Sequence, residues 1–309
     1  MKLEEVELPP LEAGQARIEV LRAPINPSDI AQIEGTYGFQ PPLPAAAGME
    51  GIGRVIEING DQSLVGSLTL LPEIPGSWST HQTAPLERIV PLPEADIDQL
   101  AMLAVNPATA YLLLTKYVDL QKGDWVIQSA GNSAVGRYVA QLANVMGFKV
   151  ASVVRRESAA QNAEDAGSHA VFVDGDDLVQ RIEEKLDAKP RLAIDAISGD
   201  MFQKLTQALA PEGTAVLYGA MSGSPAASDF DSIIFKDVSI RGFWLAKWFQ
   251  TASQEEQAKV YGFLTEAIAK GELSAPIAEV FSLDRIGEAL EFTLAGRRSG
   301  KVLVAPNAA

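Results

Sequence analysis

Trp125-Val-Ile-Gln-Ser-Ala-Gly-Asn-Ser-Ala-Val-Gly136 is an apolar run that breaks into a turn of small residues. The turn opens a helical pattern over 133–146. A second strand pattern follows over 149–154 and ends on Arg155 and Arg156. Strand, glycine turn, helix and strand in this order form the unit that holds a dinucleotide. The start of such a helix offers unpaired N–H groups and the positive end of its dipole to a pyrophosphate. Gly131 and Gly136 carry no Cβ, so backbone and ligand can come close. An NAD-binding unit places an acidic residue on the ribose about 20 residues past the turn. Two arginines stand there instead, and guanidinium groups suit the 2′-phosphate of NADPH.

The alternation continues on both sides of this segment. Candidate strands are 125–129, 149–154, 170–173, 192–196, 214–218 and 239–243, with helices at 133–146, 157–166, 176–187, 200–209 and 228–236. Six strands with crossover helices predict an α/β domain of Rossmann type, a six-stranded doubly wound parallel sheet over 106–248. Residues 1–105 read differently. Short β-like runs at 17–23, 51–59, 67–71 and 88–91 are broken by Pro9-Pro10, Pro41-Pro42 and Pro75-Gly76, which predicts an antiparallel, barrel-like domain. After Ser253 come a helix to about 269, a strand at 277–281, a helix at 283–295 and a strand at 301–304. These pieces are expected to rejoin the first domain, so that 1–105 and 249–309 form one domain. There is no internal repeat or long linker.

Composition narrows the function. The 309 residues carry a net charge of −15, a field that repels nucleic acid and anionic membranes. No apolar run approaches the ~20 residues that span a bilayer. The first residues show no signal-peptide pattern, so a cytoplasmic protein is expected. With no cysteine and only two histidines, His81 and His169, a zinc site of Cys and His ligands cannot be built and no metal is expected. Gly131-Asn-Ser-Ala-Val135 lacks the second glycine of the hydrolase elbow, which argues against a serine hydrolase.

Several segments occur in the order of one known family: Asn26-Pro-Ser-Asp-Ile30, Gly35-Thr-Tyr-Gly38, Pro75-Gly-Ser-Trp78, Val105-Asn-Pro-Ala-Thr-Ala-Tyr111, Asn132-Ser-Ala-Val-Gly136, Val153-Val-Arg-Arg156, Tyr218-Gly-Ala-Met221 and Phe235-Lys-Asp-Val-Ser-Ile-Arg-Gly-Phe-Trp244. Together they resemble the zinc-independent medium-chain dehydrogenases/reductases. The resemblance is nearest to the 2-enoyl thioester reductases, with the NADPH:quinone oxidoreductases as the alternative. It implies a GroES-like substrate domain beside the Rossmann domain. It also implies NADPH-dependent reduction of the C=C bond of an enoyl thioester, carried by CoA or acyl carrier protein, without a metal.

The resemblance also assigns residues. Tyr37 stands where the family carries its proton donor, and a phenol (pKa near ~10) is protonated at neutral pH and can donate. Asn106, biased to an extended conformation by Pro107, is placed near the nicotinamide. Asn132, Ser133, Ala134 and Val135 would hold the pyrophosphate, with Ser133 as helix cap. Tyr218, Gly219, Ala220 and Met221, and Phe243, Trp244, Leu245 and Ala246, follow the fifth and sixth strands and would line the cofactor. Lys301 would reach a cofactor phosphate. Arg241, Lys247, Arg297 and Arg298 are candidates for a basic rim that docks an anionic thioester. Family members pair through the edge of the cofactor sheet, so a homodimer is expected.

Overall fold

The structure, a computed structural model, describes residues 2–72, 74–296 and 299–308. The chain divides into two compact units, Met1–Val105 with Tyr261–Ala309, and Asn106–Val260. The return to the first unit therefore falls at Tyr261, later than the expected 249.

In the first unit, strand β1 (Gln15–Pro24) buries Ala16, Ile18 and Val20 on one face by simple alternation. Helix α1 (Pro27–Ile33) follows, with Pro27 in its first turn and Asn26 as N-cap. Then come β2 (Ile52–Ile58), β3 (Leu68–Leu70), β4 (His81–Pro85), β5 (Pro91–Leu92) and the single turn α2 (Ile97–Leu100). β1 pairs antiparallel with both β2 and β4. A Cβ on Gly53 would sit 2.4 Å from Ile18 Cγ2, so only glycine lets β2 approach β1 this closely. Ala16, Ile18, Val20, Val55, Ile58, Leu71, Ala84 and Ile89 form the core here.

Two sequence readings need correction in this unit. The expected strand at 88–91 is a 3₁₀ turn at Leu86–Arg88 followed by the two-residue β5. β4 was not expected, because His81, Gln82 and Thr83 give it no apolar alternation. Its pairing with β1 over Gln15–Glu19 makes it a strand.

The second unit begins with α3 (Asn106–Thr115) and continues β6 (Trp125–Gln128), α4 (Ala134–Met146), β7 (Lys149–Val154), α5 (Ala160–Asp165), β8 (Ala170–Val173), α6 (Leu178–Lys185), β9 (Leu192–Asp195), α7 (Asp200–Ala208), β10 (Thr214–Leu217), β11 (Ser239–Gly242) and α8 (Leu245–Thr251). The six strands form one parallel sheet in the order β11-β10-β9-β6-β7-β8. This is the doubly wound sheet that the sequence predicts. β6 is buried at every residue, as a central parallel strand must be. α4 ends on Gly147 at φ 85°, the left-handed cap that glycine adopts without strain. The expected helix at 228–236 is instead one π turn, Asp231–Phe235, closed by Lys236 N–H donating to the Asp231 carbonyl.

Helix α9 (Gln254–Ala269) carries the chain back to the first unit, where β12 (Ile277–Ser282), α10 (Ile286–Leu294) and β13 (Lys301–Ala305) complete it. β13 pairs parallel with β12 and antiparallel with β1. The first unit's sheet is thus mixed, in the order β12-β13-β1-β2-β3-β5 with β4 on β1.

Candidate functional site

The order of the parallel sheet reverses between β6 and β9, and open α/β sheets bind ligands past the strand ends at such a point. Ser129 directly follows β6, and Asp195 ends β9. Ser129 Oγ donates to Asp195 Oδ1 at 2.5 Å and accepts from the Ala196 N–H at 2.9 Å. The fully buried Asp195 also accepts the N–H groups of Ile197 (2.9 Å) and Ser198 (2.8 Å). One carboxylate therefore stitches both loops into a fixed shape. Sequence reading missed this pair; its only signal was a polar residue at the end of each apolar strand.

The turn after β6 is equally constrained. Ser133 caps α4, its Oγ accepting from the Gly136 N–H at 3.1 Å. Asn132, Ser133, Ala134 and Val135 are all part-exposed at this helix start, where the sequence places the pyrophosphate. The two glycines have a packing reason besides the one expected. A Cβ on Gly131 would lie 2.4 Å from that of Ser152, and one on Gly136 2.6 Å from the Ala130 carbonyl oxygen. They serve close packing of turn, helix and β7. Gln128 locks that packing, its Nε2 donating to the Gly136 carbonyl (2.8 Å) and to Ser152 Oγ (2.9 Å).

Arg155 and Arg156 leave the end of β7 exposed, and neither guanidinium bonds to a described residue. Their donors are open to a phosphate, which fits the NADPH reading. Tyr218 is bound up with the cradle itself. Burial and then the Asp195 carboxylate push its phenol well above the usual range, against a hydrogen bond with the Ser133 side chain. Gly219 packs on Ala196, where a Cβ would meet the carbonyl oxygen at 2.8 Å. Ala220 and Met221 are exposed, Met221 by 62%.

The segment after β11 splits. Phe243 packs edge-on against Tyr117, ring centres 6.5 Å apart, and the Tyr117 hydroxyl donates to the Gly242 carbonyl at 3.0 Å. Phe243 is thus at least in part a packing residue. Trp244 is the N-cap of α8 and 37% exposed. Leu245 and Ala246, expected in a loop, are the first residues of α8, because the apolar run continues with helical spacing to Trp248. Asn106 is buried and opens α3, as a helix-starting turn predicts, with Pro107 in the first turn where its missing N–H costs nothing.

In the first unit, Tyr37 is half-buried. Its turn is tied to the end of α1 by the N–H groups of Thr36 (2.8 Å) and Tyr37 (3.1 Å), both donating to the Ala31 carbonyl. At the other end of α1 lies a buried polar cluster: Asn26, Asp29, Glu50 and Lys301, exposed by 2, 1, 1 and 6%. The Asn26 N–H donates to Asp29 Oδ2 at 2.6 Å, Asn26 Nδ2 to Glu50 Oε1 at 2.7 Å, and the Val105 N–H to Glu50 Oε2 at 2.8 Å. Lys301 Nζ donates to Asn26 Oδ1.

Lys301, expected from the resemblance to reach a cofactor phosphate, is 6% exposed and held in this cluster. Its ammonium is engaged inside the first unit, donating to Asn26 Oδ1 beside the two buried carboxyl groups of Asp29 and Glu50. Burial pushes Asp29 up to about 7, opposed by the Asn26 N–H and by Lys301. Burial likewise lifts Glu50 to about 8, opposed by Lys301 and Asn26. Asp29 and Glu50 were not singled out from sequence, although Asp29 lies within the Asn26-Pro-Ser-Asp29 motif. Arg241 and Lys247 are exposed, and Arg297 and Arg298 lie outside the described residues. Among the described residues no group of three or more His, Cys, Asp or Glu is placed to hold a metal ion.

Residues 12–94 match the alcohol dehydrogenase GroES-like domain family, and residues 134–265 the zinc-binding dehydrogenase family. The chain is 35% identical over 306 residues to the mitochondrial enoyl-[acyl-carrier-protein] reductase of Rattus norvegicus, covering 95% of this chain and 82% of the relative. Among solved structures it is similar to the mitochondrial 2-enoyl thioester reductase Etr1p/Etr2p heterodimer of Candida tropicalis, at 25% identity and TM-score 0.88 over 97% of this chain and 93% of the other. The Etr1p/NADP/crotonyl-CoA complex matches with the same identity, TM-score and coverage. A protein of Mesorhizobium loti described as an NADPH:quinone reductase is also similar, at 27% identity and TM-score 0.82 over 96% and 88% of the two chains. The cytoplasmic expectation is overturned by these comparisons, because the curated relatives are mitochondrial enzymes. The cradle in the second unit, the GroES-like first unit and the similarity along nearly the whole sequence lead to one conclusion: the chain belongs to the medium-chain dehydrogenases/reductases, in the company of the mitochondrial enoyl-[acyl-carrier-protein] reductases, and is an NADPH-dependent oxidoreductase.

Proposed function

We propose that this enzyme reduces the C=C bond of trans-2-enoyl thioesters of CoA or acyl carrier protein, with Tyr37 as proton donor. Bound NADPH supplies the hydride for the β-carbon. Arg155 and Arg156 hold the 2′-phosphate, and Asn132, Ser133, Ala134 and Val135 receive the pyrophosphate at the start of α4. Asn106, Trp244 and the residues after β10 orient the nicotinamide. Charge then develops on the thioester oxygen, and Tyr37 delivers a proton to the α-carbon. The observation that carries this reading is the half-exposed phenol on a turn fixed to α1. A quinone acceptor needs no donor so placed.

The substrate assay is direct. Purified enzyme with NADPH should oxidise it on addition of crotonyl-CoA or a longer trans-2-enoyl-CoA. Oxidation with a quinone alone contradicts the proposal and supports quinone reduction.

A homodimer is part of the same reading. β11 is exposed at all four residues and ends the sheet. Ile240 within it is 45% exposed, and Phe230, Ile234 and Phe235, shortly before it in sequence, are 64, 66 and 74% exposed. An unpaired edge next to exposed apolar side chains favours a second copy of the chain. Light scattering should give twice the chain mass, and Ile240→Lys should shift the protein to the monomer. A monomeric unsubstituted protein at micromolar concentration would refute pairing.

A further inference from the structure

α1 is a short helix with an unusual anchor. Its one fully buried side chain is the carboxylate of Asp29, and Ile30 gives it only a partly buried apolar contact with the core around Ile25, Trp78 and Val302. A seven-residue helix has too few turns to hold itself. Its placement therefore rests on the polar cluster. Asp29 accepts from the Asn26 N–H, while the Asn26 side chain spans Glu50 and Lys301. These partners come from distant parts of the chain: Glu50 stands just before β2 and Lys301 opens β13. Glu50 also holds the Val105 N–H at 2.8 Å. Tyr261, whose hydroxyl donates to the Ala104 carbonyl at 2.7 Å, feels the Glu50 charge and is the other titratable group here.

At its far end α1 carries Ala31, whose carbonyl receives the N–H groups of both Thr36 and Tyr37. A shift of the helix at its start is thus passed to the phenol within two turns. We propose that the Asn26–Asp29–Glu50–Lys301 network is the positioning element for Tyr37, fixing the helix that presents the proton donor. The inference rests on the reading of Tyr37 as that donor. None of the four residues needs to touch substrate.

Asp29→Asn tests it, because the change keeps shape and the acceptor for the Asn26 N–H while removing the charge opposite Lys301. In the holoenzyme, kcat for crotonyl-CoA should fall about tenfold, with the NADPH KM changed by less than about twofold. Placed on Tyr37→Phe, the same change should lower the residual kcat by less than about twofold, since the donor it positions is already gone. The paired variant Glu50→Gln with Lys301→Met removes the Lys301 ammonium together with the buried Glu50 carboxyl group, and should show the same dependence on Tyr37. Thermal unfolding of every variant checks that the protein is folded.

Equal losses with and without the Tyr37 hydroxyl overturn the positioning role and leave the donor intact. An Asp29→Asn enzyme with unchanged kcat does the same. Undiminished turnover in Tyr37→Phe is a different result: it removes the donor and the network's role together.

Discussion

Replacing Tyr37 with Phe should lower kcat for enoyl-thioester reduction by about a hundredfold or more, with the NADPH KM within about twofold of its original value. The change removes one oxygen and keeps the ring, so the half-buried packing of Tyr37 survives. What is lost is a donor needed when charge leaves the double bond. Proton transfer by a positioned side chain contributes roughly 10²–10⁴-fold, or about 3–5 kcal/mol of barrier. Steady-state kinetics with crotonyl-CoA, together with NADPH titration by fluorescence, separate the two quantities. A Tyr37→Phe enzyme with full kcat would exclude the phenol from the chemistry. A variant that lost kcat and cofactor binding in parallel would point to a collapsed turn instead.

The second large effect falls on cofactor choice. Arg155→Ala with Arg156→Ala should raise the NADPH KM about a hundredfold and change the NADH KM by less than about threefold. Each charge-assisted hydrogen bond to phosphate is worth roughly 1.5–3 kcal/mol, and every 1.4 kcal/mol is about a decade of affinity. Both side chains are exposed and bonded to no described residue, so their removal breaks no internal network. Stability should therefore be nearly unchanged, which makes the kinetic result readable. Equal rises for the two cofactors would show that the pair acts on something common to both, such as the pyrophosphate. No rise would place the 2′-phosphate elsewhere.

The cofactor unit was legible because its signals are local. The six parallel strands are short apolar runs punctuated by turns, and Ser133 reads as a cap before it is seen as one. β4 was illegible because pairing with β1, a contact over more than 60 residues of sequence, makes it a strand. The same distance hid the buried cluster. Asn26, Glu50 and Lys301 meet across 275 residues of chain, and nothing near Lys301 tells that two carboxylates await it. The glycines of the turn were found, but their packing role was not. Their lack of Cβ is spent on Ser152 and Ala130, neighbours that only the folded backbone supplies. Asp195 could be suspected only as a polar residue closing an apolar strand; its hold on Ser129, Ile197 and Ser198 is a fact of sheet order.

The central claim is a division of labour in which the cofactor supplies the hydride and a protein phenol supplies the proton. The most direct test is the position of two labels in one product. Crotonyl-CoA reduced with unlabelled NADPH in D2O should give butyryl-CoA with a single deuterium on the α-carbon. Reduction with 4-deuterated NADPH in H2O should instead place deuterium on the β-carbon alone. Solvent deuterium on the β-carbon, cofactor deuterium on the α-carbon, or no saturated product at all would contradict the account.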